Sequence, residues 1–415
     1  MGIALVDADI PLAPLERESG GPLPLIQLSN ELRTRAPLAR SPFVVYVLQR
    51  DDVARLLHDP RLRGPGLDIL RLQGITDGIM YDATAEVLLF MEGPDHHRLR
   101  SLVARTFTAK AIDRLRPMMR ASFNERVDEV AAAGRCDAVT DLCERYPIDV
   151  ICALLGAPAD DWPLFSKWAE GILRSISFDI GDHRPYIEQC MTEISEYIGD
   201  LVERKRREPG EDVLSDLIAV EEQGDRLTPK ELRAVARVIL VAGSDTTRNQ
   251  LALSLHTFAT NPDQWQLLRA DPSLAPRAVE ETMRYIAATG GLARVTLEDI
   301  EVAGVVIPTG TMVVLDTVSA NHDPSAIDRP DVVDLTRDLP PGYHHLTFGG
   351  GVHYCLGASL ARAELQEALA IGAVRMPDLA LDGTPTWKPN MGIFGPASLP
   401  LRWTAPAVGL IETSG

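Results

Sequence analysis

One stretch narrows what this chain can fold into more than any other: Phe348-Gly349-Gly350-Gly351-Val352-His353-Tyr354-Cys355-Leu356-Gly357, leading into a helix-like run from Ala358 to Leu365. Glycine-rich backbone turns tightly and lets a bulky ligand approach closely. The cysteine then stands just before a helix. There the helix dipole and free backbone N–H groups favour a thiolate. A structural cysteine beside a turn needs neither feature.

The other cysteines, Cys136, Cys143, Cys152 and Cys190, form no CxxC pair. Zinc-ribbon and thioredoxin arrangements therefore have no support. Five cysteines in a large chain fit a reducing compartment, with the first four serving as small hydrophobes in helices. The 415 residues, 45% of them hydrophobic, are ample for a large core. A net charge of -18 argues against nucleic-acid binding. The segment Met1 to Gly21 carries Asp7, Asp9, Glu16, Arg17 and Glu18 and does not read as a signal peptide. No run of about 18 apolar residues occurs, so neither a spanning helix nor a membrane anchor is expected. A cytoplasmic setting is expected.

Leu23 to Asp52 contains apolar bursts that read as a strand pair, followed by a short helix from Asp51 to His58 with Asp51 as its cap. Arg61 to Gly93 is irregular and reads as a loop with one short helix. From Pro94 to about Ile286 helical periodicity dominates, with breaks at Gly134, Pro158, Phe178 to Pro185, and Pro209-Gly210. Pro229 to Ala259 reads as one long buried helix. β-branched runs between Val295 and Val318 predict a small β region. A meander from Asp323 to Leu346, a helix from about Ala358 to Val374 and a loop around Trp387 to Pro396 follow. The whole chain reads as a single mainly α domain with small β-sheets, preceded by an extension over about residues 1–22.

Three further groupings carry chemistry. Ala242-Gly243-Ser244-Asp245-Thr246-Thr247 interrupts the long helix with poor helix formers, and a threonine bonding back to the backbone bends a helix. An acid beside an alcohol suits proton delivery. Glu281 and Arg284 stand three apart on one helix face. His96 and Arg100, four apart, form a polar face near Pro94. By contrast, His344-His345 lacks the acid-rich setting of a metal site. Gly349 to Gly351 lacks the Lys-Ser/Thr of a phosphate loop.

A cysteine thiolate can be the axial ligand of a haem iron and favour O–O cleavage. With Phe348, Gly351, His353, Cys355 and Gly357 in register, the loop resembles the haem-binding loop of the cytochrome P450 family. The resemblance extends from about Leu23 to the C-terminus. It implies the soluble bacterial type of haem-thiolate monooxygenase. The fold implied is a helix-rich triangular prism with haem b between the long central helix and the cysteine loop. Ala242 and Gly243 then belong to an oxygen-binding groove. Thr246 steadies the oxygen being activated, and Asp245 relays protons inward. His96, Arg100, Arg294 and His353 meet the haem propionates, and Glu281 with Arg284 locks the cysteine loop, Arg337 being a third partner.

The resemblance also implies a substrate pocket drawn from Leu67 to Phe90, Trp168 to Phe178, Leu240 to Thr246 (Val241 among them), Thr289-Gly290-Gly291-Leu292-Ala293, and Gly392-Ile393-Phe394-Gly395. Relatives often have proline just before Thr289, where this chain has Ala287-Ala288. A hydrophobic or amphipathic small substrate is expected, hydroxylated or epoxidised with dioxygen. The chain has no flavin or Fe–S signature, so NAD(P)H electrons arrive indirectly, through a ferredoxin and its reductase. Arg98, Arg105, Lys110 and Arg114 form a basic cluster for docking it. Oxidative coupling, dehydrogenation and peroxide-driven chemistry stay open as alternatives. A haem-based ligand binder or sensor would not need the Asp245–Thr246 pair.

Overall fold

The structure, a computed structural model, describes residues 3–13, 20–176, 180–222, 227–388 and 392–405. Strand β1 (Ile3–Ala4) comes first and helix α1 (Pro22–Arg35) follows. Leu25, Ile26, Ser29, Leu32 and Arg33 share one buried face of α1, and Pro22 sits where a missing N–H costs nothing. This 3.6-residue repeat makes a helix that the strand-pair reading of Leu23 to Asp52 did not include. The strand pair is confined to β2 (Leu38–Arg40) and β3 (Val45–Val47). Helix α2 (Arg50–Leu56) opens one residue before Asp51, which lies in the first turn instead of capping it. After β4 (Leu62–Arg63) come two short helices where one was expected, α3 (Asp68–Leu72) and α4 (Ile79–Ala85).

The helical body follows: α5 (Gly93–Ala104), α6 (Ala109–Ala131), α7 (Arg145–Leu155), α8 (Trp162–Leu173), α9 (Arg184–Arg207) and α10 (Val213–Glu222). Cys136 lies not in a helix but in strand β5 (Arg135–Asp137), between α6 and α7. The long helix α11 (Pro229–Thr260) starts at a reciprocal cap between Thr228 and Glu231. It packs against α7, α8, α9 and two later helices, α13 (Ala275–Tyr285) and α15 (Ala358–Arg375), with α12 (Pro262–Ala270) as the link. The helix runs unbroken through Ala242 to Thr247. Ser244 and Thr246 donate back to Leu240 O and Ala242 O at 2.7 Å each.

Strands β6 (Gly291–Thr296), β7 (Ile300–Val302), β8 (Val305–Ile307) and β9 (Met312–Asp316) form the β region, closed by α14 (Thr317–Asn321). The five-stranded sheet has the order β2-β3-β9-β6-β4, so it joins the first 65 residues to the region after α13. β1 pairs parallel with β8, and Leu12 bridges to Arg40. The described part of the N-terminal extension is therefore fastened to the sheets rather than free. Glu16, Arg17 and Glu18 lie outside the described residues. Near the C-terminus β10 (Ala380–Leu381) and β13 (Pro400–Arg402) join β5, while β11 (Thr386–Trp387) pairs with β12 (Pro396–Ser398). The largest hydrophobic cluster lies among α6, α7, α9, α11 and α15. No described helix is long and apolar enough to cross a membrane.

Candidate haem-thiolate site

The Cys355 loop is held by backbone first. Cys355 N–H donates to Phe348 O (2.9 Å) and closes the loop on itself. Gly351 has φ +62°, and a Cβ there would come within 2.5 Å of Leu57 O, so only glycine passes. The loop then enters α15. Cys355 is enclosed by protein, yet its surface is open to an internal cavity of about 440 Å³. Burial raises its thiol above the usual range, opposed by the Gly357 N–H and by Arg100 and Arg362. The expected thiolate-favouring groups are present, but desolvation outweighs them.

The stretch before the loop is fixed by a buried network. Arg284 grips Glu281 with two bonds, Nε to Oε2 (2.8 Å) and Nη2 to Oε1 (2.9 Å). Arg337 donates to the same carboxylate at 3.2 and 3.3 Å, and so does Asp334 N–H at 2.9 Å. Arg284 Nη1 reaches Asn321 O (3.2 Å). The Asn321 side chain accepts from Leu346 N–H (2.8 Å) and donates to Thr347 Oγ1 (3.1 Å). Thr347 Oγ1 in turn donates to Met283 O (2.8 Å). The network thus runs from the Glu281 helix to the residue before Phe348. Glu281→Gln leaves two buried guanidinium groups short of their anion. It is expected to cost about 3–5 kcal/mol, read by chemical denaturation against wild type.

Four nitrogen-bearing side chains converge on one edge of the cavity. His96, Arg100, Arg294 and His353 all line it. His96 is buried, with no hydrogen-bond partner on either ring nitrogen among the described residues. Burial, with His353 and Arg100 nearby, lowers its pKa to about 4. His353 Nε2 meets Glu92 Oε1 (3.1 Å), and its ring centroid is 4.6 Å from that of His96. Arg100 donates to Tyr354 O and Arg294 to Ala293 O (2.8 Å). Neither arginine has an ion pair among the described residues, although burial works against the charge of both. Buried cations without anions are costly. Two carboxylates entering this edge would relieve that cost, which is what a haem brings.

The opposite wall is α11. Val241, Ala242, Gly243 and Thr246 line the cavity. A Cβ on Gly243 would collide with Ile151 of α7, so this glycine also permits helix packing. Asp245 does not line the cavity. It lies buried behind Thr246, ion-paired with Arg248, bonded by Asn249 Nδ2 to Oδ2 (3.0 Å), with Lys388 Nζ at 4.0 Å. Ala83, Thr84, residues 87–90, Ile172, Leu173 and Ser175 form the roof, and Phe178 lies outside the described residues.

Thr289 and Leu292 also line the space, with Phe348 and Gly357 on the loop side. Gly290, Gly291, Ile393 and Phe394 do not. A Cβ on Gly291 would come within 2.5 Å of Val314 on the paired strand. Phe394 is 2% exposed and stacks on Trp387 at 5.4 Å, while its N–H donates to Ala288 O (2.7 Å). It braces the cavity wall from behind. The Ala288 N–H, which proline would lack, donates to Gln250 Oε1 (3.0 Å), and Gln250 Nε2 donates to Ile286 O (3.1 Å).

Sequence reasoning passed over Glu364. It is fully buried on α15, lines the cavity, and neither carboxylate oxygen has a hydrogen-bond partner among the described residues. Burial pushes its carboxyl well above the usual range, which favours the protonated form. In the sequence it looks like one more helix-surface glutamate.

The cytochrome P450 family model matches residues 169–371. Nocardicin C N-oxygenase of Nocardia uniformis subsp. tsuyamanensis is 37% identical over 392 residues, 92% of this chain and 95% of that protein. The chain belongs to the cytochrome P450 family. This P450 is also similar to the mycinamicin IV hydroxylase/epoxidase of Micromonospora griseorubida, at 36% identity over 89% of this chain and 92% of that protein. Among solved structures, CalO2 matches with a TM-score of 0.85 at 30% identity, covering 91% of this chain and 95% of that one. P450BioI in complex with an acyl carrier protein carrying hexadec-9Z-enoic acid matches with a TM-score of 0.83 at 29% identity, covering 91% and 98%. As a bacterial-type P450 monooxygenase, the chain is an oxidoreductase whose family uses haem held by a cysteine thiolate, with dioxygen as cosubstrate.

Proposed function

We propose that Cys355 is the axial ligand of haem b, and that His96, Arg100, Arg294 and His353 hold its propionates. The observation that carries this is the pairing of one cavity-facing cysteine with a rim that holds two arginines, Arg100 and Arg294, without ion pairs among the described residues, beside a buried and unpartnered His96. Haem bound through a thiolate supplies an iron centre at which dioxygen is cleaved. The residues on α11 manage protons. Thr246 lines the space, its hydroxyl resting on Ala242 O, and Asp245 stands behind it as the acid. A substrate in the predominantly apolar cavity is a hydrophobic or amphipathic small molecule, as for the hydroxylating relatives. The acid–alcohol pair favours dioxygen-dependent hydroxylation or epoxidation over peroxide-driven turnover. Residues 23–405 are read as one unit, supported by the sheet that joins β2 to β9. The reduced carbon-monoxide spectrum of the haem-loaded protein tests the assignment of Cys355.

Electrons are proposed to come from a ferredoxin supplied by its reductase. Helix α5 runs beside the Cys355 loop, because Arg100 reaches Tyr354 O. Arg105 ends that helix, and Arg105, Lys110 and Arg114 are exposed without ion pairs among the described residues. Arg98 drops out of the patch, since it pairs with Glu231 on α11. Replacing Arg105 and Lys110 with Glu is expected to slow reduction by an acidic ferredoxin and to remove most of its salt dependence. Unchanged stopped-flow reduction rates across a salt series contradict this docking face.

A further inference from the structure

A second cleft, of about 610 Å³, opens between α4, α9 and the first turns of α11. Asp82, Glu86, Lys230, Arg233 and Arg237 face it. Arg237 and Ala83 line both this cleft and the cavity above Cys355, so Arg237 marks their junction. Its side chain is only 12% exposed. Its Nη2 donates to Ala83 O (3.2 Å) and Glu86 Oε2 (3.3 Å). Its Nε and Nη1 have no hydrogen-bond partner among the described residues. Arg233, one turn earlier, is exposed and has no ion pair among them. Glu86 is already shared between Lys230 (3.0 Å) and Arg237, and Asp82 acts on Lys230.

This arrangement works against the helix that carries it. Lys230 lies in the first turn of α11, at the positive end of its dipole, and Arg233 follows in the second turn. Arg233 and Arg237 are also a like-charged i,i+4 pair, which destabilises a helix further. Local stability does not account for two under-paired guanidiniums facing one cleft. An anion does, because the planar guanidinium fork matches a carboxylate or phosphate oxygen pair.

We propose that the substrate is an amphiphile with one anionic head. Arg237 and Arg233 hold the head in the outer cleft, and the apolar body runs along α11 toward Thr246. The proposal rests on the haem-thiolate reading and adds the substrate class to it. Arg237 and Thr246 are nine residues apart, about 13 Å at the α-helical rise. The oxidised carbon therefore lies about that far from the anionic head.

The test uses the haem-loaded full chain and four probes with one apolar tail: dodecanoate, dodecyl phosphate, dodecanol and dodecylammonium. Dissociation constants come from calorimetry and from the Soret shift. At least one anion is expected to bind about tenfold tighter than the alcohol, the worth of one charge-assisted hydrogen bond. The tighter of the two anions identifies the head group. Added salt weakens anion binding and leaves the alcohol unchanged. Arg237→Gln brings the preferred anion to the alcohol's affinity, and Arg233→Gln loses part of the preference. Equal binding of anions and alcohol, no binding of either anion, tightest binding of dodecylammonium, or an unchanged preference in the variants overturns the proposal. If Arg237→Gln does not fold, the wild-type series and Arg233→Gln decide. The reduced carbon-monoxide spectrum of the same samples separates the two readings. A missing thiolate band sinks the Cys355 assignment, whereas a normal band without anion preference sinks only this one.

Discussion

Cys355→Ser is expected to abolish monooxygenase turnover while leaving the fold intact. The loop does not depend on the thiol for its shape. Its closure is the backbone bond from Cys355 N–H to Phe348 O, and its approach is set by Thr347 and Asn321. Serine keeps the side-chain volume within one atom, so the stability change stays within about 1 kcal/mol. No other cysteine can take over. Cys136, Cys143, Cys152 and Cys190 do not line the cavity, and burial raises the pKa of each thiol. Turnover assays beside unfolding curves separate the two effects. Activity retained above a tenth of wild type argues against Cys355 as the ligand.

Asp245→Asn is expected to lower turnover on the order of 10²-fold, the usual worth of a placed acid, with substrate affinity unchanged. Asp245 has no surface on the cavity, so its loss leaves substrate contacts in place. Its buried carboxylate is held by Arg248 and Asn249, with Lys388 Nζ at 4.0 Å, and sits next to Thr246 in the chain as the one titratable acid of this stretch of α11. Asparagine keeps the shape but loses the ion pair with Arg248 and can neither take up nor release a proton. Thr246→Ala differs in kind. It is expected to keep the haem spectrum and electron uptake but to divert electrons into hydrogen peroxide, read as peroxide formed per NAD(P)H consumed. If both variants lose only affinity, the α11 residues bind substrate rather than move protons.

Much of the architecture could be read from the sequence because its signals are local. The long helix follows from apolar periodicity over 32 residues and a Thr228–Glu231 cap. The cysteine loop and the Glu281–Arg284 spacing are compact patterns, and Arg337 was within reach as their third partner. What escaped depends on tertiary placement. The helix over 22–35 was hidden because its leucines and isoleucine also fit a strand until Ser29 and Arg33 are seen to share their face. Phe394 looked like a pocket residue, but stacking on Trp387 turns it into a brace. Glu364 and Arg237 look like ordinary charges on helices. The meaning of Glu364 comes from burial without a partner, and that of Arg237 from its place where two cavities meet, which no spacing encodes.

The central claim is that Cys355 places a thiolate on haem iron, and one spectrum tests it most directly. Wild-type protein loaded with haem, reduced and exposed to carbon monoxide is predicted to show the long-wavelength Soret band of thiolate ligation. Cys355→Ser is predicted to lack it. A fully haem-loaded wild type without that band, or a Cys355→Ser variant that retains it, contradicts the account.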